Sequence, residues 1–119
     1  MEAKLTKKVL IVDDSIQWQK IWGEMLGGKI EVISAYSIKE ARGKFADNPD
    51  VDAIVMDACV PGDEPTTPPL VIEFRKTYKG PIVAISSLPE YQKILMHVGC
   101  DHSADKNTMP EYLLNFLGL

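Results

Sequence analysis

The chain has 119 residues, 45% of them hydrophobic and 25% charged, with a formal net charge of −4. That is enough for one ordinary core, too apolar for a disordered segment, and short of the basic face that nucleic-acid binding needs. No apolar run approaches the ~20 residues of a membrane span, and Met1 to Lys8 is charged, without a signal-peptide core, so no membrane is expected as a partner. Cys59 and Cys100 have neither metal-type spacing nor the density of a disulfide framework, which makes a reducing cytoplasm the expected compartment.

Short apolar runs alternate with segments of helical period, the pattern of βαβ units and a parallel sheet. Val9-Leu10-Ile11-Val12 predicts a first strand. Ile16, Trp18, Ile21, Trp22, Met25 and Leu26 then fall largely on one helical face, and Gly27-Gly28 stops that helix. Ile30, Val32 and Ile33 predict a second strand. Ser37-Ile38-Lys39-Glu40 reads as a capping box opening a helix through Ala41, Phe45 and Ala46, which Asn48-Pro49-Asp50 breaks. A third strand, Ala53-Ile54-Val55-Met56, ends on Asp57. The loop Pro61 to Pro69, rich in proline, threonine and acid, precedes a helix carrying Leu70, Ile72, Phe74 and Tyr78. Gly80-Pro81 turns into a fourth strand, Ile82-Val83-Ala84-Ile85, and a weaker run, His102-Ser103-Ala104-Asp105, predicts the fifth. Ser87-Leu88-Pro89-Glu90 and Thr108-Met109-Pro110-Glu111 read as two more capping boxes. The last helix, Met109 to about Leu117, leaves no room for an output domain, so a single domain over 1–119 is expected.

The chemistry sits at the ends of the strands. Asp13 and Asp14 close the first run, Asp57 the third, Ser86 the fourth, and Lys106 follows the fifth. Strand interiors reject charge, and open α/β sheets place their sites where parallel strands emerge. Several have a plainer reading alone, Asp14 with Ser15 as a helix cap, Ser86 or Ser87 likewise, Lys106 as a solvated lysine, whereas Asp57 has no cap role and follows four apolar residues. His97 and His102 fall short of a metal site and read as surface or half-buried histidines.

At these positions the chain resembles the receiver domain of two-component response regulators, from Lys8 to about Leu117. The resemblance rests on Asp13-Asp14, Asp57 with Pro61-Gly62 after it, Ser86-Ser87 closing a Pro-led strand, and Gly99 followed by Lys106. It implies a doubly wound (βα)5 flavodoxin-like α/β sandwich, strand order 2-1-3-4-5, in which strands one and three are neighbours. It further implies Mg2+ held by Asp13, Asp14, Asp57 and the backbone carbonyl of Cys59, with Asp57 as phosphoacceptor, Ser86 and Lys106 contacting the phosphoryl oxygens. The phosphoryl donor would be a histidine kinase or histidine phosphotransfer protein. Output would be contact with another protein by a monomer or weak dimer, with turnover limited to self-catalysed phosphorylation and dephosphorylation. Trp18, Trp22, Tyr91 and Met96 are candidate contacts. The alternative is a receiver-like docking module that does not cycle phosphate.

Three departures from the family pattern carry their own expectations. Asn107 stands where the family has a proline in a cis peptide, and a cis bond before a non-proline residue costs about 2.5–4 kcal/mol, so Lys106–Asn107 should be trans. Ser103 stands in place of the family's switching aromatic and is too small to swing between buried and exposed packing. Cys59 and Leu88 replace the usual polar neighbours, and neither readily orients an attacking water, which predicts slow hydrolysis of the acyl phosphate.

Overall fold

The computed structural model describes residues 7–61 and 65–119. Gly62, half of the Pro61-Gly62 motif, and Asp63 and Glu64 of the expected loop lie outside the described residues. Five strands and five helices alternate: β1 (Lys7–Val12), α1 (Ile16–Leu26), β2 (Ile30–Ala35), α2 (Ile38–Asp47), β3 (Ala53–Asp57), α3 (Pro68–Arg75), β4 (Ile82–Ile85), α4 (Pro89–Val98), β5 (His102–Ala104) and α5 (Met109–Phe116). All strands pair in parallel, in the order β2-β1-β3-β4-β5, as expected for the doubly wound sheet.

Side-chain alternation along the central strands splits the core in two. Leu10, Val12, Ile54, Met56, Ile82 and Ala84 pack with Ala41, Leu70, Phe74 and Leu95 of α2, α3 and α4. Val9, Ile11, Val55, Val83 and Ile85 face the other way, onto Trp22, Leu26, Met109 and Leu113 of α1 and α5. Strands buried on both faces read as continuous apolar runs, which is how these appear in the sequence.

Several helices depart from the sequence reading. In α1 the buried line is Gln19, Trp22 and Leu26, while Ile16, Ile21 and Met25 are exposed. At 100° per residue Ile21 and Met25 form a flanking strip, and Ile16 lies on the far side of the buried line. α3 ends at Arg75, so Tyr78 packs into the core from the loop beyond, and Val71, not Ile72, is buried. The Ser37 cap forms: Glu40 N–H donates to Ser37 Oγ at 3.1 Å, and Glu40 Oε1 accepts from the N–H of Tyr36, one residue earlier than a capping box requires. The other two boxes do not form. Pro89 and Pro110 fall in the first turns of α4 and α5, and the capping positions Leu88 and Thr108 make no side-chain cap bond. Proline at the first position of α4 pushes Leu88 into extended backbone, which moves the helix start past Ser87.

Candidate functional site

The pairing of Val12 with Met56 places the next residues of β1 and β3 side by side at the carboxyl end of the sheet. There the carboxylates of Asp13, Asp14 and Asp57 each bring an oxygen within 4.8 Å of the others. Asp13 and Asp57 are buried, and Asp14 is half-buried. From the far side of β3, Lys106 reaches over: its Nζ lies 2.9 Å from Asp13 Oδ2 and 3.6 Å from Asp57 Oδ2. An open cleft of about 300 Å³ is lined by Asp57 together with Asp14, Ser86, Leu88, Tyr91 and Lys106. Cys59 lines the same cleft. The five residues singled out in the sequence are thus brought together.

The electrostatics follow from that crowding. Burial pushes the Asp57 carboxyl up from an ordinary 3.8 to about 7, and the charges of Asp13 and Asp14 add to the rise against the opposing pull of Lys106 and the Cys59 backbone N–H. Burial alone would depress the Lys106 ammonium, but contact with Asp13 and the charges of Asp57, Asp13 and Asp14 outweigh it and raise it. Three clustered carboxylates with one ammonium leave a surplus of negative charge. An oxygen-only set of this kind fits a hard divalent cation, and magnesium takes such carboxylates together with water and phosphate oxygens.

Each group is braced by neighbours. Asp13 Oδ1 accepts from the Ser15 N–H at 2.8 Å, and Ser15 Oγ in turn caps α1 by accepting from the Trp18 N–H. The cap at this end is therefore Ser15, leaving Asp14 to the acidic cluster. Gln19, buried in α1, donates to the carbonyls of Ile11, Asp13 and Ala35 and ties the ends of β1 and β2 together. Thr67 Oγ1 donates to the carbonyl of Asp57 at 2.7 Å and reaches that of Ala58 at 3.0 Å. Thr66 binds the next turn: its hydroxyl donates to the Val60 carbonyl at 2.8 Å and accepts from the Val60 N–H at 3.0 Å. Ser86 Oγ accepts from the Leu88 N–H, which leaves its own proton to donate, and Gln92 Nε2 holds the carbonyls of Ser86 and Ala104. Thr67, Gln19 and Gln92 were not read from the sequence. Only Thr67 left a signal, a threonine immediately ahead of a proline pair.

The departures from the family pattern take physical form. The one cis peptide among the described residues is Val60–Pro61, so Lys106–Asn107 is trans, as its chemistry requires. Ser103 is exposed on β5. Of the candidate contacts, Trp22 is fully buried and belongs to the core; Trp18 stacks on it at 5.3 Å; Tyr91 is half-buried; Met96 is exposed. His102 is half-buried, stacked on Phe116 and hydrogen-bonded to the Tyr112 hydroxyl through Nδ1 at 2.7 Å.

A doubly wound sheet with acids converging where its strand order reverses defines a class, and comparison with known proteins narrows it. No family model matches the chain, and no curated protein does. Among solved structures, the chemotaxis protein CheY4 of Vibrio cholerae superposes with a TM-score of 0.77 at 30% identity, over 95% of this chain and 97% of that one. A second structure of the same protein, described as a chemotaxis response regulator, gives 0.75 at 31% identity over the same shares. A two-component response regulator from Clostridium difficile shares the fold, with a TM-score of 0.80 at 22% identity over 95% and 97%. The chain belongs to the CheY-like response regulators, the family of receiver domains. Among the described residues, no helix is long and apolar enough to cross a membrane.

Proposed function

We propose that this single domain is a phosphorylatable switch in which Asp57 accepts a phosphoryl group from a histidine kinase or histidine phosphotransfer protein. The observation that carries the reading is the ammonium of Lys106 set beside Asp13 and Asp57, at 2.9 and 3.6 Å, in the lining of the cleft. In the reaction, an Asp57 carboxylate oxygen attacks phosphorus, an O–P bond forms, and the P–N bond of the donor phosphohistidine breaks. The bonding pair leaves with the imidazole nitrogen, which is then protonated, and the product is an acyl phosphate. Such a transfer asks for positioning and for neutralised charge more than for covalent chemistry.

Asp13, Asp14 and Asp57, with the Cys59 carbonyl, would hold the Mg2+ that supplies charge neutralisation at the phosphoryl oxygens. Lys106 faces the same oxygens, and the Ser86 hydroxyl, already accepting from Leu88 N–H, donates its proton to one of them. That bond exists only when phosphate is present, so it pulls on the start of α4 in the phosphorylated form alone. Signalling then proceeds by protein–protein contact. With Ser103 exposed on β5, the signal leaves through Ser86, Leu88 and Gln92 of the β4–α4 segment instead of an aromatic flip.

The test is intact mass after incubation with phosphoramidate, with and without Mg2+, beside Asp57→Asn. A magnesium-dependent gain of one phosphoryl group, absent in the variant, is expected. No gain with magnesium still bound would replace the switch with a docking module that does not cycle phosphate.

A further inference from the structure

We infer that Trp22 is a positioning residue for Lys106, acting through a hydrogen bond from its indole to the lysine's own carbonyl. The β4–β5 ladder ends at the pairing of Ile85 with Ala104, so Lys106 stands two residues beyond the sheet. The loop that carries it is mostly exposed at Asp105, Asn107 and Thr108. Four bonds hold the backbone of the stretch: Gln92 Nε2 to the Ala104 carbonyl at 3.3 Å, Met109 N–H to the Asp105 carbonyl at 2.9 Å, Tyr112 N–H to the Thr108 carbonyl at 3.0 Å, and Trp22 Nε1 to the Lys106 carbonyl at 3.1 Å. Of these, the indole bond alone acts on Lys106 itself, and its donor stands on α1, 84 residues away in sequence.

Trp22 is a firm anchor. It is fully buried with Leu26, Met109 and Leu113, and Trp18 stacks on it. A buried indole N–H must find some acceptor, and many carbonyls would serve. The choice has consequence here because the chosen carbonyl belongs to the residue whose ammonium meets Asp13 and Asp57. A lysine side chain has four rotatable bonds, and its reach is set by where its backbone is pinned. Without the indole bond the Lys106 backbone is free to shift, and a small misplacement of a charge-neutralising group slows a reaction that depends on position.

The inference rests on reading Lys106 as a phosphoryl-facing cation, and two readouts separate the two. The variants are Trp22→Phe and, because that change also leaves a cavity, replacement of the Trp22 indole by the isosteric benzothiophene, which lacks only the N–H. Each is made in the parent chain and in Lys106→Ala. The first readout is the rate of phosphorylation by phosphoramidate with Mg2+. A loss of roughly tenfold is expected for both variants in the parent, consistent with one well-made hydrogen bond, and less than about twofold in Lys106→Ala, where the positioned group is gone. The second is NMR relaxation of the Lys106 side chain in metal-free protein, which should show a looser lysine in the isostere and needs no phosphate. An isostere that keeps both the parent rate and the parent order at Lys106 overturns the inference, as does an equal slowing in Lys106→Ala. A parent chain that takes up no phosphate while the isostere still loosens Lys106 upholds the positioning and overturns only the phosphoryl reading.

Discussion

Asp57 ends a central strand, paired to β1 and β4, and its own carbonyl is bonded to the buried Thr67 hydroxyl. Lys106 instead lies beyond a three-residue edge strand, in an exposed loop held by single bonds. One half of the site is thus built into the sheet, and the other is hung beside it. The difference assigns the halves different vulnerabilities. Damage near Asp57 should appear as lost stability, because the sheet must be disturbed to move it. Damage near Lys106 should appear as lost rate in a chain that still folds.

The largest expected effect is on rate. Lys106→Ala should slow phosphorylation by about 10²-fold, the scale of losing one preorganised charge-stabilising group, with an unfolding midpoint close to the parent's. Stopped-flow or mass-resolved time courses beside thermal melts read both, and a large fall in melting temperature with an unchanged rate would reverse the contrast.

Thr67→Val tests the other half. It keeps the shape but leaves the Asp57 carbonyl without its hydroxyl donor, and should cost about 1–3 kcal/mol of stability. Urea unfolding measures it; a loss no larger than that of an exposed threonine would show that β3 holds Asp57 without help.

The proton on Asp57 sharpens the same point. Its carboxyl is lifted from 3.8 to about 7 in the folded chain. The folded state therefore holds a proton that the unfolded state has released, a stabilising contribution complete below the unfolded value and lost as pH rises through the folded one. Asp57→Asn lacks this dependence. In chelator, the stability of the parent minus that of Asp57→Asn should therefore fall between about pH 4 and about pH 7. A difference independent of pH would mean that Asp57 is not strained by its burial.

The smallest effect concerns lifetime. Cys59→Asn with Leu88→Glu puts water-orienting groups at the cleft, and should speed loss of the phosphoryl group about tenfold, less than the ~10²-fold or more of a positioned proton-transfer group because these side chains only orient the water. A decay already as fast in the parent would end the expectation of slow hydrolysis.

Strand ends were legible from the sequence because buried parallel strands write themselves as apolar runs, so that Asp13, Asp57 and Ser86 stand out as their first polar successors. Lys106 was placed by the family resemblance more than by its weak preceding run. Helix caps were less legible: Pro89 moves the start of α4 past Ser87, and Thr108 stands at the start of α5 as read but makes no side-chain cap bond. The braces were illegible for a different reason. Trp22 reads as a core or contact aromatic, and nothing local reveals that its N–H meets a carbonyl 84 residues on. Gln19 interrupts an apolar pattern and looks solvent-facing, yet it is buried because three strand-end carbonyls need a donor.

The stack beneath Lys106 has an optical consequence. The chain contains 2 tryptophans, and they are the stacked pair Trp18 and Trp22. Indole emission responds to the hydrogen bond on its nitrogen and to the charge beside it, so the fluorescence spectrum of this protein samples one spot, the underside of the lysine loop. A movement of that loop on metal uptake or phosphorylation should therefore change the emission, with no label to attach.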